Sequence, residues 1–197
     1  MADDLTTLEN DLVRAVELLA ETFAAKSIRY ALLGGLAASF RGRQRFTQDV
    51  DVLLDVSQVA LPGLLDELAQ AGFDFDMATV IREYVREHMA VLHFGLVRID
   101  WIKPMVPLFH RTIRDATPLL WTEGHPVQVA SAECLIVTKL VAFRPQDLAD
   151  IESLLSANRD TIDVEIIRTE WAAVAGADDE RSVWLEAAMA RLLPSKQ

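Results

Sequence analysis

The chain has 197 residues, 51% of them hydrophobic, and a formal net charge of −11. A chain of this length buries roughly 70% of its unfolded surface, so it needs no disulfide or structural metal for stability. The single cysteine, Cys134, excludes an intrachain disulfide and a Cys-based zinc site, and the acidic balance argues against extensive non-specific nucleic-acid binding.

The N-terminal stretch MADDLTTLENDLVRAVELLAETF is acidic and amphipathic. Apolar residues at Leu5, Leu8, Leu12, Val16, Leu19 and Phe23 predict a packing helix to Ala25, not a signal peptide. No apolar run approaches the ~20 residues of a membrane span, so a cytoplasmic protein without membrane association is expected. Tyr30–Leu33 reads as a strand, Gly34-Gly35 as a turn, Leu36–Phe40 as a short helix and Asp49–Leu54 as a second strand. Ser57 leads into a helix over Gln58–Ala71 closed by Gly72. Phe73–Phe75 is extended, and Val80–Arg86 fits strand or helix. Residues 88–103 read as two strands around Gly95, ended by Pro104 and Pro107. Pro118–Trp121 and Pro126–Ala130 form a hairpin around Glu123-Gly124. Helices follow at Ala132–Phe143 after Ser131, at Gln146–Ala157 after Pro145, and at Asp163–Ala175 and Asp178–Leu193. Cys134 reads as a buried small residue, and Trp171 and Trp184 as core anchors.

The chemistry concentrates in Tyr30–Asp55, YALLGGLAASFRGRQRFTQDVDVLLD. Asp49 and Asp51 are two residues apart, so on a strand they share a face. Carboxylates held that close repel unless positive charge lies between them, and a divalent cation suits oxygen ligands. Glycines at the start of a helix let backbone N–H groups approach a phosphate. Arg41, Arg43 and Arg45 make a local basic loop, either solvated or functional. Asp100, between Ile99 and Trp101, needs a partner: it pairs with Arg98 or caps a turn, or its strand lies beside Asp49 and Asp51. Lys139 sits in the apolar helix LIVTKLVAF, where it snorkels or serves a ligand. Asp147 and Asp150 are one helical turn apart and fit capping or pairing with Arg144 equally well. His88, His93, His110 and His125 lack the spacing of a metal triad and read as structural.

Gly34, Gly35, Asp49 and Asp51, with the lead-in Arg45-Phe46-Thr47-Gln48, resemble the DNA polymerase β-like nucleotidyltransferase superfamily. The R-x-T-x-D-x-D string looks most like AbiEii toxin-type and related small bacterial nucleotidyltransferase-like proteins. Glu133, Leu135, Ile136, Lys139 and Leu140, followed by Arg144, Asp147 and Asp150, resemble the later motif of that branch. Many superfamily members carry Gly-Ser where this chain has Gly34-Gly35.

The resemblance implies an α/β fold: a small mixed sheet backed by helices over residues 1–130, and a mainly helical part over 131–197, as two parts or one continuous domain. It implies Mg²⁺ or Mn²⁺ at Asp49, Asp51 and Asp100, with Asp100 helping to activate an acceptor hydroxyl. Gly34 and Gly35 would cradle the phosphates of an NTP substrate. Arg45 and Lys139 would neutralise the leaving pyrophosphate, and Thr47 would fix the loop before Asp49. Asp147 is the weaker carry-over. The expected activity is transfer of a nucleoside monophosphate to an acceptor on RNA, with an antitoxin-type protein partner, or to a small molecule. The alternative is a non-catalytic nucleotidyltransferase-like module that binds a partner or regulates.

Overall fold

The computed structural model describes residues 2–194. Its contacts divide into two compact units: residues 1–36 with 46–130, and residues 37–45 with 131–197.

The first unit is built on a six-stranded mixed sheet: β1 (Arg29–Leu32), β2 (Asp49–Asp55), β3 (Met89–Phe94), β4 (Val97–Ile102), β5 (Thr117–Thr122) and β6 (His125–Val129), in the order β3-β4-β2-β1-β6-β5. Helix α1 (Ala2–Ala25) packs on β4 and β6. Leu8, Leu12, Val16, Leu19 and Phe23 are buried. Burial of each such side chain stabilises by roughly 1.5–3 kcal/mol relative to exposure. Leu5, one turn earlier, stays 52% exposed and does not join that stripe. Phe23 stacks at an angle on Tyr30 and Trp101, which ties α1 to strands on both sides of β2.

Local chemistry accounts for the differences from the sequence expectations. Helix α2 (Gly34–Arg41) begins at Gly34, so the Gly-Gly pair is its first turn and not a preceding loop. Helix α3 (Leu61–Gln70) starts later than Gln58 because the Ser57 hydroxyl accepts from Ala60 N–H and closes a separate turn. The ambiguous stretch is helix α4 (Met77–Arg86), decided by the Asp76 carboxylate accepting from Thr79 N–H at 2.8 Å. Pro107, expected only to end a strand, opens helix α5 (Pro107–Arg114), which packs against β1 and β2. Proline suits a first helical turn, where its missing N–H has no partner to lose.

In the second unit, α6 (Ala132–Ala142) is capped by the Ser131 hydroxyl, which accepts from Cys134 N–H. It ends at Phe143 in a left-handed conformation and leads into α7 (Pro145–Ala157). Helices α8 (Val164–Ala172) and α9 (Glu180–Leu192) are capped by Asp163 and Asp179. Leu135, Ile136, Leu140, Ile151, Leu154, Leu155, Ile167 and Leu185 form the core of this unit. Trp171 is buried and donates to Ser182 Oγ at 2.7 Å, whereas Trp184 is only half-buried, edge-on to Phe143. Cys134 is buried. No helix among the described residues is long and apolar enough to cross a membrane.

Candidate active site

Strands β2 and β4 run parallel, with Asp51 opposite Asp100 and Asp49 opposite Arg98. Register partners on neighbouring strands share a face about 4.8 Å apart, and Asp49 returns to that face two residues before Asp51. The intervening residues turn the other way: Val50, Val52, Ile99 and Trp101 are fully buried. This apolar packing fixes the register, since a one-residue slip would bury the aspartates. Asp49 is exposed, and Asp51 and Asp100 are half-buried. Thr47 Oγ1 donates to the Asp49 carbonyl at 3.3 Å and so ties down the approach to β2.

Gly34 closes the site from the side of β1. Its neighbour Leu33 donates N–H to the Asp51 carbonyl at 2.9 Å, which draws the start of α2 against β2. Gly34 has φ +62°, and a Cβ there would lie 1.7 Å from Asp51 Oδ2. Both backbone and space therefore require glycine. The Asp51 carboxylate thus lies beside the first turn of α2, where the positive end of the helix dipole favours negative charge. Gly35 continues the helix without a positive φ.

Asp100 pairs with Arg98, and its strand lies beside β2, without a metal-ready three-carboxylate cluster among the described residues. It lies beside Asp51, and its carboxylate accepts from Arg98 through Nε at 3.0 and 3.1 Å and Nη2 at 2.8 Å. Those hydrogen bonds, and then the charge of Asp100, are the main reason the Arg98 guanidinium is held above its ordinary pKa; desolvation offsets part of this, and the charges of Asp49 and Asp51 add less. Among the described residues, no three Asp, Glu, His or Cys side chains already converge closely enough to hold a metal ion.

Arg45 and Lys139 lie in the second unit, with Asp147 and Asp150. Arg45 grips Asp150 through two 3.0 Å hydrogen bonds. Lys139 Nζ lies 2.6 Å from Asp150 and 3.5 Å from Asp147. Arg144 pairs with Asp147 through its side chain at 2.7 Å and donates its backbone N–H to it at 3.1 Å. Lys139, Asp147 and Asp150 are all buried. Burial raises the Asp147 pKa, but the Arg144 hydrogen bonds and the Lys139 charge outweigh it and hold the carboxyl below its usual value. The basic loop has organisers that sequence reasoning missed. Ser39 Oγ donates to the Arg45 carbonyl and accepts from its N–H, Ser153 Oγ accepts from Arg43 N–H at 2.6 Å, and Asn158 donates to the Arg41 carbonyl at 2.8 Å. These are short polar side chains more than 100 positions from their partners or inside a helix, so no local pattern marks them.

The histidines do not form a metal site among the described residues. His125 instead lies between Glu17 and Glu21 of α1, at 3.7 and 3.2 Å. A groove of about 600 Å³ in the second unit, lined partly by Ile162, Met189 and the Arg168–Glu186 ion pair, contains none of the expected site residues.

The family model described as "Nucleotidyltransferase of unknown function (DUF6036)" matches residues 10–184. The chain belongs to this nucleotidyltransferase family. The fold agrees with that membership. An antigenic nucleotidyltransferase-like protein from Paracoccidioides brasiliensis is 17% identical, with TM-score 0.58 over 93% of this chain and 94% of that one. ANT(2'')-Ia in complex with adenylyl-2''-tobramycin is 12% identical, with TM-score 0.53 over 82% of this chain and 95% of that one. No curated protein sequence matches. The family model and these structures support the nucleotidyltransferase superfamily, and none of them names the AbiEii toxin-type branch.

Proposed function

We propose that this DUF6036 nucleotidyltransferase transfers a nucleoside monophosphate from an NTP to a hydroxyl of a small, cationic acceptor. One observation carries the reading: the β2–β4 register sets Asp51 beside Asp100, with Asp49 on the same face, next to the α2 N-terminus.

The donor set suits Mg²⁺ or Mn²⁺, hard cations that take oxygen ligands, and Asp49, Asp51 and Asp100 would hold it. That a guanidinium already sits on Asp100 supports this, because the face carries negative charge in need of a cation. When bound, the metal supplies Lewis-acid stabilisation of the charge developing on the triphosphate. Gly34 and Gly35 would let a phosphate approach the first turn of α2, where the helix N-terminus favours its negative charge. The acceptor oxygen attacks the α-phosphorus, the bond to the pyrophosphate oxygen breaks, and Asp100 receives the acceptor proton. Arg45 and Lys139 would serve the pyrophosphate by exchanging for it the carboxylates they now hold, Asp150 for Arg45 and Asp150 with Asp147 for Lys139.

Two observations favour a small cationic acceptor: the net charge of −11 and the adenylylated aminoglycoside in the ANT(2'')-Ia structure. The second reading is an RNA acceptor with an antitoxin-type protein partner; the exposed Arg43 of the basic loop favours it. Labelled NTPs incubated with Mg²⁺ and either aminoglycosides or tRNA distinguish the two. Label is expected on the aminoglycoside, and label on tRNA alone would replace the first reading by the second. No label on either, with no NTP binding, would point to a non-catalytic, partner-binding or regulatory module.

A further inference from the structure

Arg98 is the guanidinium that sits on Asp100, within the acidic face itself. It lies opposite Asp49 in the β2–β4 register and reaches along its own strand to Asp100. Its contact with Asp100 uses both carboxylate oxygens at 3.1 Å or less, the forked geometry that makes arginine–carboxylate pairs strong. The lone pairs that would ligate a cation are therefore directed at a guanidinium. Arg98 is itself half-exposed and projects from a strand, so no packing prevents it from leaving.

We propose that Arg98 is an internal counter-ion that occupies the third metal ligand, so that divalent-cation binding requires Arg98 to release Asp100. This inference rests on the metal-binding reading of Asp49, Asp51 and Asp100. Its physical basis is competition. Without a metal, three carboxylates on one face repel, and Arg98 relieves that repulsion. A divalent ion brings twice the charge and must displace the guanidinium from Asp100 to gain its third carboxylate. The cost of that exchange is subtracted from metal affinity. Arg98 thus sets how much metal the protein needs. A residue that merely stabilised the sheet would have the opposite effect: its loss would weaken metal binding by loosening the site.

The test is Mn²⁺ affinity of the free protein, measured by calorimetry and by the loss of the free-Mn²⁺ paramagnetic signal. Arg98→Gln is expected to bind Mn²⁺ about tenfold more tightly than wild type, equivalent to about 1.4 kcal/mol. Arg98→Lys keeps the charge but loses the fork, and should fall between them. In an Asp100→Asn background, Arg98→Gln should give at most about twofold tightening, because the contested ligand is gone. Equal or weaker Mn²⁺ binding by Arg98→Gln, with the protein folded and binding still abolished in Asp51→Asn, would overturn the role of Arg98 and leave the metal site standing. Mn²⁺ binding that is absent, or unchanged in Asp51→Asn, would instead overturn the metal reading and this inference with it.

Discussion

At the scale of single residues, the two adjacent glycines of the site differ: Gly34 must be glycine, and Gly35 need not be. Gly34→Ala places a methyl group on the Asp51 carboxylate in a left-handed backbone position, so it strains the chain and displaces the carboxylate proposed to bind metal. We expect a loss of at least ~1–3 kcal/mol, the scale of one strained residue, read from denaturant midpoints. Gly35 has no such backbone constraint. Gly35→Ser, which restores the Gly-Ser form of many superfamily members, should fold as wild type and bind NTP several-fold more tightly in calorimetry, because the hydroxyl adds a phosphate contact. Unchanged affinity would show that the backbone N–H groups alone cradle the phosphates. Asp100→Asn should leave NTP affinity nearly intact while lowering single-turnover transfer at least ~100-fold, the usual scale for losing positioned acid–base or electrostatic catalysis.

At the scale of elements, α6 and α7 are joined by charge as well as by leucines. Asp147 is held ionised below the usual carboxylate range, so the sign of its pH dependence follows directly. Its stabilisation is fully present above the unfolded value, near pH ~3.9, and is lost as pH falls through the lower folded value. Asp147→Asn leaves Lys139 and Arg144 short of a partner, and should cost about 3–5 kcal/mol near pH 7. It should also flatten the acid limb of the stability profile, followed by circular dichroism between pH 7 and 2. Lys139→Met tests the other side of the network. A lower melting temperature with unchanged NTP affinity would assign Lys139 to packing α6 on α7. Weaker NTP binding in a protein of similar stability would assign it to the pyrophosphate.

On the scale of the whole molecule, the chain order and the contact units do not coincide. Residues 37–45 belong with 131–197, because Arg41, Arg43 and Arg45 are tied to Asn158, Ser153 and Asp150. A fragment ending at Ala130 therefore strips the basic loop of its anchors. Hydrogen exchange at residues 41–45 is expected to be much faster in that fragment than in the full chain, while β2 and β4 keep their mutual pairing. Net charge also acts at this scale. Attraction of the proposed cationic acceptor to a protein of charge −11 would be screened by salt, so its association should slow as ionic strength rises past ~0.15 M.

Period and spacing determined much of this protein before any contact was known. The alternation Asp49-Val50-Asp51-Val52 sets two carboxylates on one face and two buried valines on the other in any sheet, because the strand period is two. The α1 stripe from Leu8 to Phe23, the Gly95 and Gly124 hairpins and the Ser131 cap are equally local, and the structure has them where the sequence puts them. Other features arise only from pairing across distance. Asp100 had two readings because one strand cannot reveal its neighbour; the parallel β2–β4 register makes it both a partner of Arg98 and a companion of Asp51. The need for glycine at position 34 comes from a carboxylate seventeen residues away that occupies the space of its Cβ. The placement of Arg45 with Lys139, Asp147 and Asp150 depends on α6 and α7 packing together and on the basic loop reaching Ser153 and Asn158. Long-range contacts such as these have no period, and buried charge is settled only by which opposite charge the folded chain brings to it.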